Sequence, residues 1–441
     1  FADEDIEIPP FTEELKSLLL SKASQDFDWS AISPTIFGAV FESTLNPDTR
    51  RSGGMHYTSI ENIHKVIDPL FLNGLKAELE EIKRIPVERT REARLAAYQD
   101  KLAGLTFLDP ACGSGNFLTE SYISLRRLEN DALRCQTDQI TMGDYANPIQ
   151  VSIHQFYGIE INDFAATVAK TALWIAESQM LKETEDIVAH QIDFLPLKSY
   201  ANITEANALR LNWEDVVPKG KLNYIMGNPP FVGARLMNAD QKADVNLIFD
   251  GWKNAGNLDY VCCWYKKTTD LMQGTAIRSA LVSTNSVSQG ESVANLWKPL
   301  FEAGVHIDFA HRTFRWDSEA KIKAHVHCVI IGFSTAPNSA EKVLYSGDRI
   351  QIVKNINGYL LDADNVFVES RNKPLCDVPQ IGIGNMPLDG GNYLFTVEEK
   401  DEFVKKEPLS QKWFRPWIGS HEFINRYFRY CLYLKECPPN E

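Results

Sequence analysis

Between Leu105 and Phe333 the chain alternates two hydrophobic periods. Short apolar runs, each closed by a turn signal, are separated by longer segments with apolar residues at helical spacing. The short runs are Leu105–Leu108, Gln155–Ile161, Leu222–Gly227, Ser279–Thr284, Gly304–Ala310 and Ala324–Phe333. Strand–helix alternation of this kind predicts an α/β architecture with a mostly parallel, seven-stranded sheet. The last two runs are joined by a short connection, which predicts an antiparallel edge hairpin. Upstream, Phe11–Leu20, Thr35–Glu42 and Ile60–Leu72 read as helices, and residues 73–103, rich in Glu, Lys, Arg and Ala, as a solvated helical hairpin.

The ends of three of these strands carry unusual residues. Leu222–Gly227 opens onto Asn228-Pro229-Pro230-Phe231. Two prolines cannot donate ladder hydrogen bonds, so the strand stops there and leaves a stiff turn. The turn displays an amide, a carbonyl and an aromatic ring at the carboxyl end of a strand, where open α/β sheets hold ligands. An amide oxygen and a carbonyl can accept from an amino group, and a ring can stack on a heterocycle. The strand at Leu105 runs into Asp109-Pro110-Ala111-Cys112-Gly113-Ser114-Gly115-Asn116-Phe117, a glycine turn followed by a helix. Its acid repels a pyrophosphate and suits a ligand with an amino group; the GxGxxG and GxxxxGK[ST] spacings are absent. Glu160-Ile161 ends the second strand, the place where such sheets hold ribose hydroxyls. The distance from Asp109 to Glu160 predicts an insertion over 131–154.

Other segments are less pointed. Arg50-Arg51-Ser52-Gly53-Gly54-Met55-His56-Tyr57-Thr58-Ser59 precedes a helix, and Thr58 or Ser59 can cap it. The turn at Asn207 and the acid Asp193 compete as contacts to a base edge. Asp259 reads equally as a helix cap or a ligand contact. His325 and His327 share a strand face but lack a third metal ligand, and Asp308 with Glu319-Ala320-Lys321 only echoes a nuclease pattern, so we expect no metal site.

The chain has 441 residues, 44% hydrophobic and 24% charged, with a net charge of −14, which excludes a broad basic coat for nonspecific nucleic-acid binding. A local basic cleft remains compatible. The 8 cysteines form no CxxC pair, and no apolar run reaches membrane length. A reducing cytoplasm is the expected location. Beyond 345 the texture turns polar and loop-rich, and Trp413-Phe414-Arg415-Pro416-Trp417 and Arg426-Tyr427-Phe428-Arg429-Tyr430 interleave basic and aromatic residues. That interleaving suits nucleic-acid contact or a domain interface equally. Phe1 at the start and the abrupt finish after Cys437 lead us to expect a piece of a longer chain.

In this order the motifs resemble the adenine-specific DNA methyltransferase part of MmeI-like fused restriction–modification enzymes. The matching pieces are Gly53–Ser59, Asp109–Phe117, Tyr157-Gly158-Ile159-Glu160 and Asn228–Phe231, within a resemblance over most of residues 30–345. It implies a Rossmann-like methyltransferase fold using S-adenosylmethionine, with a helical connector over 1–50, a catalytic domain over 51–345, and a linker with the start of a target-recognition region over 346–441. It implies cofactor contacts from Tyr57, Thr58, Asp109, Ala111, Gly113, Gly115, Asn116, Phe117, Glu160, Ile161 and Asn207. Asn228, Pro229, Pro230 and Phe231 would receive a flipped adenine, with Phe314 or Trp316 closing its other face. The expected partners are double-stranded DNA and a nuclease domain or subunit outside this chain, with no membrane and a monomeric state. N4-cytosine methylation, protein glutamine methylation and a catalytically silent DNA-recognition subunit are the rival readings.

Overall fold

The computed structural model of the chain describes residues 12–18, 20–21, 34, 58–136, 148–188, 192, 201–316, 326–337, 341–371, 373–378, 389–435 and 437–438. Tyr57 and the run before it, Asp193, Glu319, Lys321 and His325 lie outside them. The chain divides into two compact units, the first ending at Ser370.

In the first unit, α1 (Ile60–Ile67) starts where the Ser59 hydroxyl accepts from the Asn62 amide at 3.4 Å. Pro69 has no amide hydrogen to continue the ladder, and residues Asp68–Leu72 form a wider turn before α2 (Asn73–Lys83). α3 (Glu88–Gly104) completes the helical hairpin expected over 73–103. It is solvated on one side only, because Leu75, Leu79, Ile82, Leu95, Tyr98 and Leu102 are buried. Then follow β1 (Phe107–Asp109), α4 (Asn116–Arg134), β2 (Phe156–Glu160), α5 (Asp163–Val188), β3 (Asn202–Glu205) and β4 (Tyr224–Gly227). After these come α6 (Ala239–Ile248), α7 (Cys262–Met272), β5 (Arg278–Thr284), β6 (His306–Trp316) and β7 (Val326–Ser334). The hairpin β8 (Lys342–Ser346) and β9 (Arg349–Val353) ends the sheet.

The sheet order is β3-β2-β1-β4-β5-β7-β6-β8-β9, nine strands. The fold is α/β with a mixed sheet and flanking helices, and two sequence expectations need correction. Among the described residues this sheet has nine strands rather than seven, because β8 pairs parallel with β6 and β9 turns back on β8. The antiparallel hairpin β6–β7 is also not an edge. β7 inserts between β5 and β6 and pairs antiparallel with both. A short connection fixes that the two strands pair, but not on which side of the older strands the second one lands.

Strand side chains alternate between two cores. Phe107, Phe156, Met226, Ala280 and Val282 face the side covered by α1 to α5. Leu108, Ile159, Ile225, Leu281 and Val329 face the side covered by α7. Every residue of β1 is buried, as the continuous apolar run predicts for a strand covered on both faces. β1, β2, β4 and β5 run parallel, so Asp109, Glu160, Gly227 and Thr284 end at one edge of the sheet.

The second unit contains β10 (Leu394–Phe395), α8 (Val397–Lys406), β11 (Phe414–Trp417), α9 (Ser420–Asn425) and β12 (Arg429–Leu432). Its strands form a separate sheet, β10-β12-β11, over a cluster of Phe395, Phe403 and Phe414.

Candidate active site

Asp109 is the most constrained residue at the shared strand edge. It is fully buried, and its Oδ1 accepts from the Ala111 amide at 3.0 Å, while Oδ2 has no hydrogen-bond partner. Burial, aided by the Glu160 charge, pushes its carboxyl up to about 8. The carboxyl lies against the last residue of β4: a Cβ on Gly227 would come 2.4 Å from Asp109 Oδ1. Only glycine lets the two strand ends close up in this way.

The glycine turn that follows is fastened to β2. The Cys112 amide donates to the Ile159 carbonyl at 3.1 Å, and the Gly113 amide to Glu160 Oε2 at 2.9 Å. Gly115 has φ +80°, and a Cβ there would press on Ala169 of α5 at 2.9 Å. The turn is thus seated on a small-residue face of α5, where Ala165, Ala166, Ala169, Ala172 and Ala176 are buried. Asn116 starts α4, and Phe117 is buried in the core rather than presented at the mouth of the site. Cys112 is buried too, and its thiol is pushed well above the usual range, which makes it a poor nucleophile.

Glu160 accepts one main-chain hydrogen bond on each oxygen, from Gly113 on Oε2 and from Asn162 on Oε1 at 3.0 Å. Burial raises its pKa against those bonds. Each oxygen keeps a second lone pair for a hydroxyl donor. The next residue, Ile161, is 65% exposed, an apolar side chain standing at the edge of the site. Asn207 uses its side chain within the protein: Oδ1 accepts from the Leu209 amide at 2.9 Å and Nδ2 donates to Asp244 at 3.2 Å. Buried Asp244 also accepts from Arg210 Nε at 2.6 Å and the Tyr260 hydroxyl at 2.8 Å. Lys267 closes the same turn by donating to the carbonyls of Ala208, Leu209 and Leu211. Sequence reading missed Asp244 and Lys267, because neither lies in the segment it holds.

Directly after β4, Asn228 Nδ2 donates to the Thr58 hydroxyl at 3.2 Å, while Oδ1 is buried with no partner. Pro229 is buried, and Phe231 is half-buried against both cores. The chain beyond it is pinned by Asp259, whose Oδ1 accepts from the Ala234 amide at 3.0 Å and Oδ2 from the Ser286 hydroxyl at 2.5 Å. Asp259 is therefore bonded within the protein through both oxygens. Phe314, near the far end of β6, lies under Lys65 Nζ at 5.2 Å and beside His311, which stacks on Tyr345 at 4.2 Å. Asp308 sits near the opposite end of β6, where it accepts from the Ser334 hydroxyl at 2.8 Å across from Arg278 at the start of β5. It takes no part in the site.

The arrangement brings two buried, unpartnered acceptor oxygens, Asp109 Oδ2 and Asn228 Oδ1, to the ends of adjacent strands. An unpaired polar atom in such a place is costly unless a ligand satisfies it; Asn228 Oδ1 asks for a hydrogen-bond donor, and Asp109 Oδ2 does so once a cationic ligand draws the carboxyl into its ionised form. The structure joins Thr58, Asp109, Ala111, Gly113, Glu160 and Asn228 by direct hydrogen bonds or strand pairing.

Comparison with known proteins agrees with this geometry. Residues 85–346 match the family described as "MmeI, DNA-methyltransferase domain", and residues 362–441 match "MmeI, target recognition domain". The "DNA methyltransferase A" of Bacillus subtilis (strain 168) is 40% identical over 430 residues, which is 95% of this chain and 47% of that protein. A solved structure described as the type IIL restriction–modification enzyme MmeI in complex with DNA matches with a TM-score of 0.90 at 42% identity. That match covers 99% of this chain and 58% of the other. The chain therefore spans about half the length of these relatives.

Proposed function

The chain belongs to the MmeI DNA-methyltransferase family, and from that premise we propose that it moves a methyl group from S-adenosylmethionine to N6 of an adenine in double-stranded DNA. In this reading it is the modification part of a restriction–modification enzyme. The observation that carries the reading is the pair of buried, unpartnered acceptors at the ends of β1 and β4. Each matches a group such a reaction must hold: the ammonium end of the methyl donor at Asp109 and the exocyclic amine of the base at Asn228.

The adenine has to leave the duplex, because its N6 is otherwise engaged in pairing. Asn228 Oδ1 and the Pro229 carbonyl then accept the two N6 hydrogens. Their pull raises electron density on nitrogen and aims its lone pair toward the donor. Phe231 stacks on one face of the base and Phe314 on the other. When bound, S-adenosylmethionine supplies an electrophilic methyl on a sulfonium sulfur. Glu160 accepts from the ribose hydroxyls through its remaining lone pairs, and exposed Ile161 offers the cofactor base an apolar surface. Gly113, Gly115, Ala111 and Asn116 shape the turn around the middle of the donor, and Asn207 sets the turn against its base edge. Rate enhancement comes from positioning and from acceptors arranged before the substrate arrives.

Incubating the protein with methyl-labelled S-adenosylmethionine and duplex DNA, then digesting to nucleosides, tests the proposal. Label in N6-methyladenine is the expected result; label in N4-methylcytosine or only in protein overturns it. Asn228→Ala should lower kcat by about 10²–10³-fold while the cofactor Kd moves less than about threefold.

A further inference from the structure

Thr58 and Asn228 stand 170 residues apart, and their side chains nevertheless meet at 3.2 Å. An asparagine amide carries a donor on one side and an acceptor on the other, in nearly the same shape. A bond made on one side holds the amide in place and leaves the other side for a ligand. With Nδ2 given to the Thr58 hydroxyl, Oδ1 is turned toward its buried, unpartnered position.

We propose that Thr58 is a positioning residue that, by holding Asn228 Nδ2, keeps the Asn228 amide fixed at the place where its oxygen would meet an exocyclic amine. The inference rests on the methyl-transfer reading above and gives Thr58 a task separate from cofactor contact. Its own setting suits the task. Thr58 is 4% exposed and directly precedes Ser59, whose hydroxyl and carbonyl accept from the Asn62 and Ile63 amides at the start of α1. α1 is seated by Ile63, Val66 and Ile67, all fully buried. A β-branched side chain on so fixed a backbone has little rotamer freedom, and its oxygen stays where Asn228 needs it.

Thr58→Val keeps the shape and removes the acceptor, and Thr58→Ser keeps the oxygen. In Thr58→Val we expect kcat to fall roughly ten- to a hundred-fold with the cofactor Kd within about threefold of wild type. Thr58→Ser should recover kcat to within about threefold. Thr58→Ala reads in the same way if valine disturbs the fold. A second measurement does not depend on turnover. In protein labelled with ¹⁵N-asparagine, the Asn228 side-chain NH2 signal is identified by its absence from Asn228→Asp. Its hydrogen exchange should be at least about tenfold faster in Thr58→Val than in wild type. Unchanged kcat in Thr58→Val, a loss confined to cofactor Kd, or unchanged exchange overturns the inference. If the wild-type protein methylates no DNA, the functional reading fails by itself, and the exchange comparison still decides the role of Thr58.

Discussion

Asp109 is held in a state that costs the fold stability. Its folded pKa of about 8, set by burial, lies above the ordinary carboxyl value, so the native state holds a proton that the unfolded chain releases. Stability from this group is therefore lost as pH rises from about 4 to about 8. Asp109→Asn should remove that slope: close to wild type near pH 4 and more stable than wild type near pH 8 in urea titrations, with cofactor binding lost. His64 slopes the same way. Hydrogen bonds to Asp68 and Glu120 raise it to about 9, so its contribution is complete below about 6.5 and fades as pH passes through about 9. The strand-end places of Asp109, Glu160 and Asn228 were legible in the sequence because each sits where an apolar run stops, marked by Pro and Gly after Asp109, by Asn162-Asp163 after Glu160 and by two prolines after Asn228. The Thr58–Asn228 bond was not, because nothing in either segment names the other. Phe117 shows the converse limit: it lies inside the motif, yet its side chain belongs to the core.

Among the elements, β4 matters most, because its last residue must be vacant of a side chain. Gly227→Ala places a methyl where Asp109 Oδ1 lies, 2.4 Å away, and the carboxyl must move. We expect a loss of about 1–3 kcal/mol in urea unfolding together with weakened cofactor binding by calorimetry. A glycine tolerated purely as a strand end would show neither. The central strands were readable because both their faces are buried and their apolar runs are unbroken. β8 and β9 were not, because most of their residues are only partly covered and Ile350 and Ile352 point to solvent, so their composition resembles a loop. The place of β7 was unreadable for another reason. Pairing partners on a sheet are fixed by the tertiary packing of all strands, and local alternation records only which face each residue takes.

Charge is divided unevenly over the whole molecule. Residues 371–441 contain 10 Lys and Arg and 10 Asp and Glu, so the net −14 of the chain resides in the first 370. In the second unit the basic and aromatic runs are partly engaged with their neighbours: Arg429 pairs with Glu422 at 2.7 Å, and Lys400 lies over Tyr430 at 4.7 Å. The strand-end groups argued to hold the methyl donor all fall in the unit that ends at Ser370. A piece comprising residues 1–370 should therefore bind S-adenosylmethionine within about threefold of the full chain by calorimetry, yet lose site-specific methylation of DNA. Cofactor binding that disappears with the second unit would contradict this division.

The contact between Thr58 and Asn228 also has a meaning in time. A ribosome adding about 5–20 residues per second reaches Asn228 roughly ten to thirty seconds after Thr58. Throughout that interval the start of α1 exists without the amide it is to orient. β1 likewise waits for β4, its neighbour in the sheet but not in the chain. The nascent protein can gather its first helices early, but the pocket for an amine is assembled only once the second half of the sheet has emerged. In the proposed reading, competence for methyl transfer therefore arrives as a late step of biosynthesis, after most of the first unit has been made.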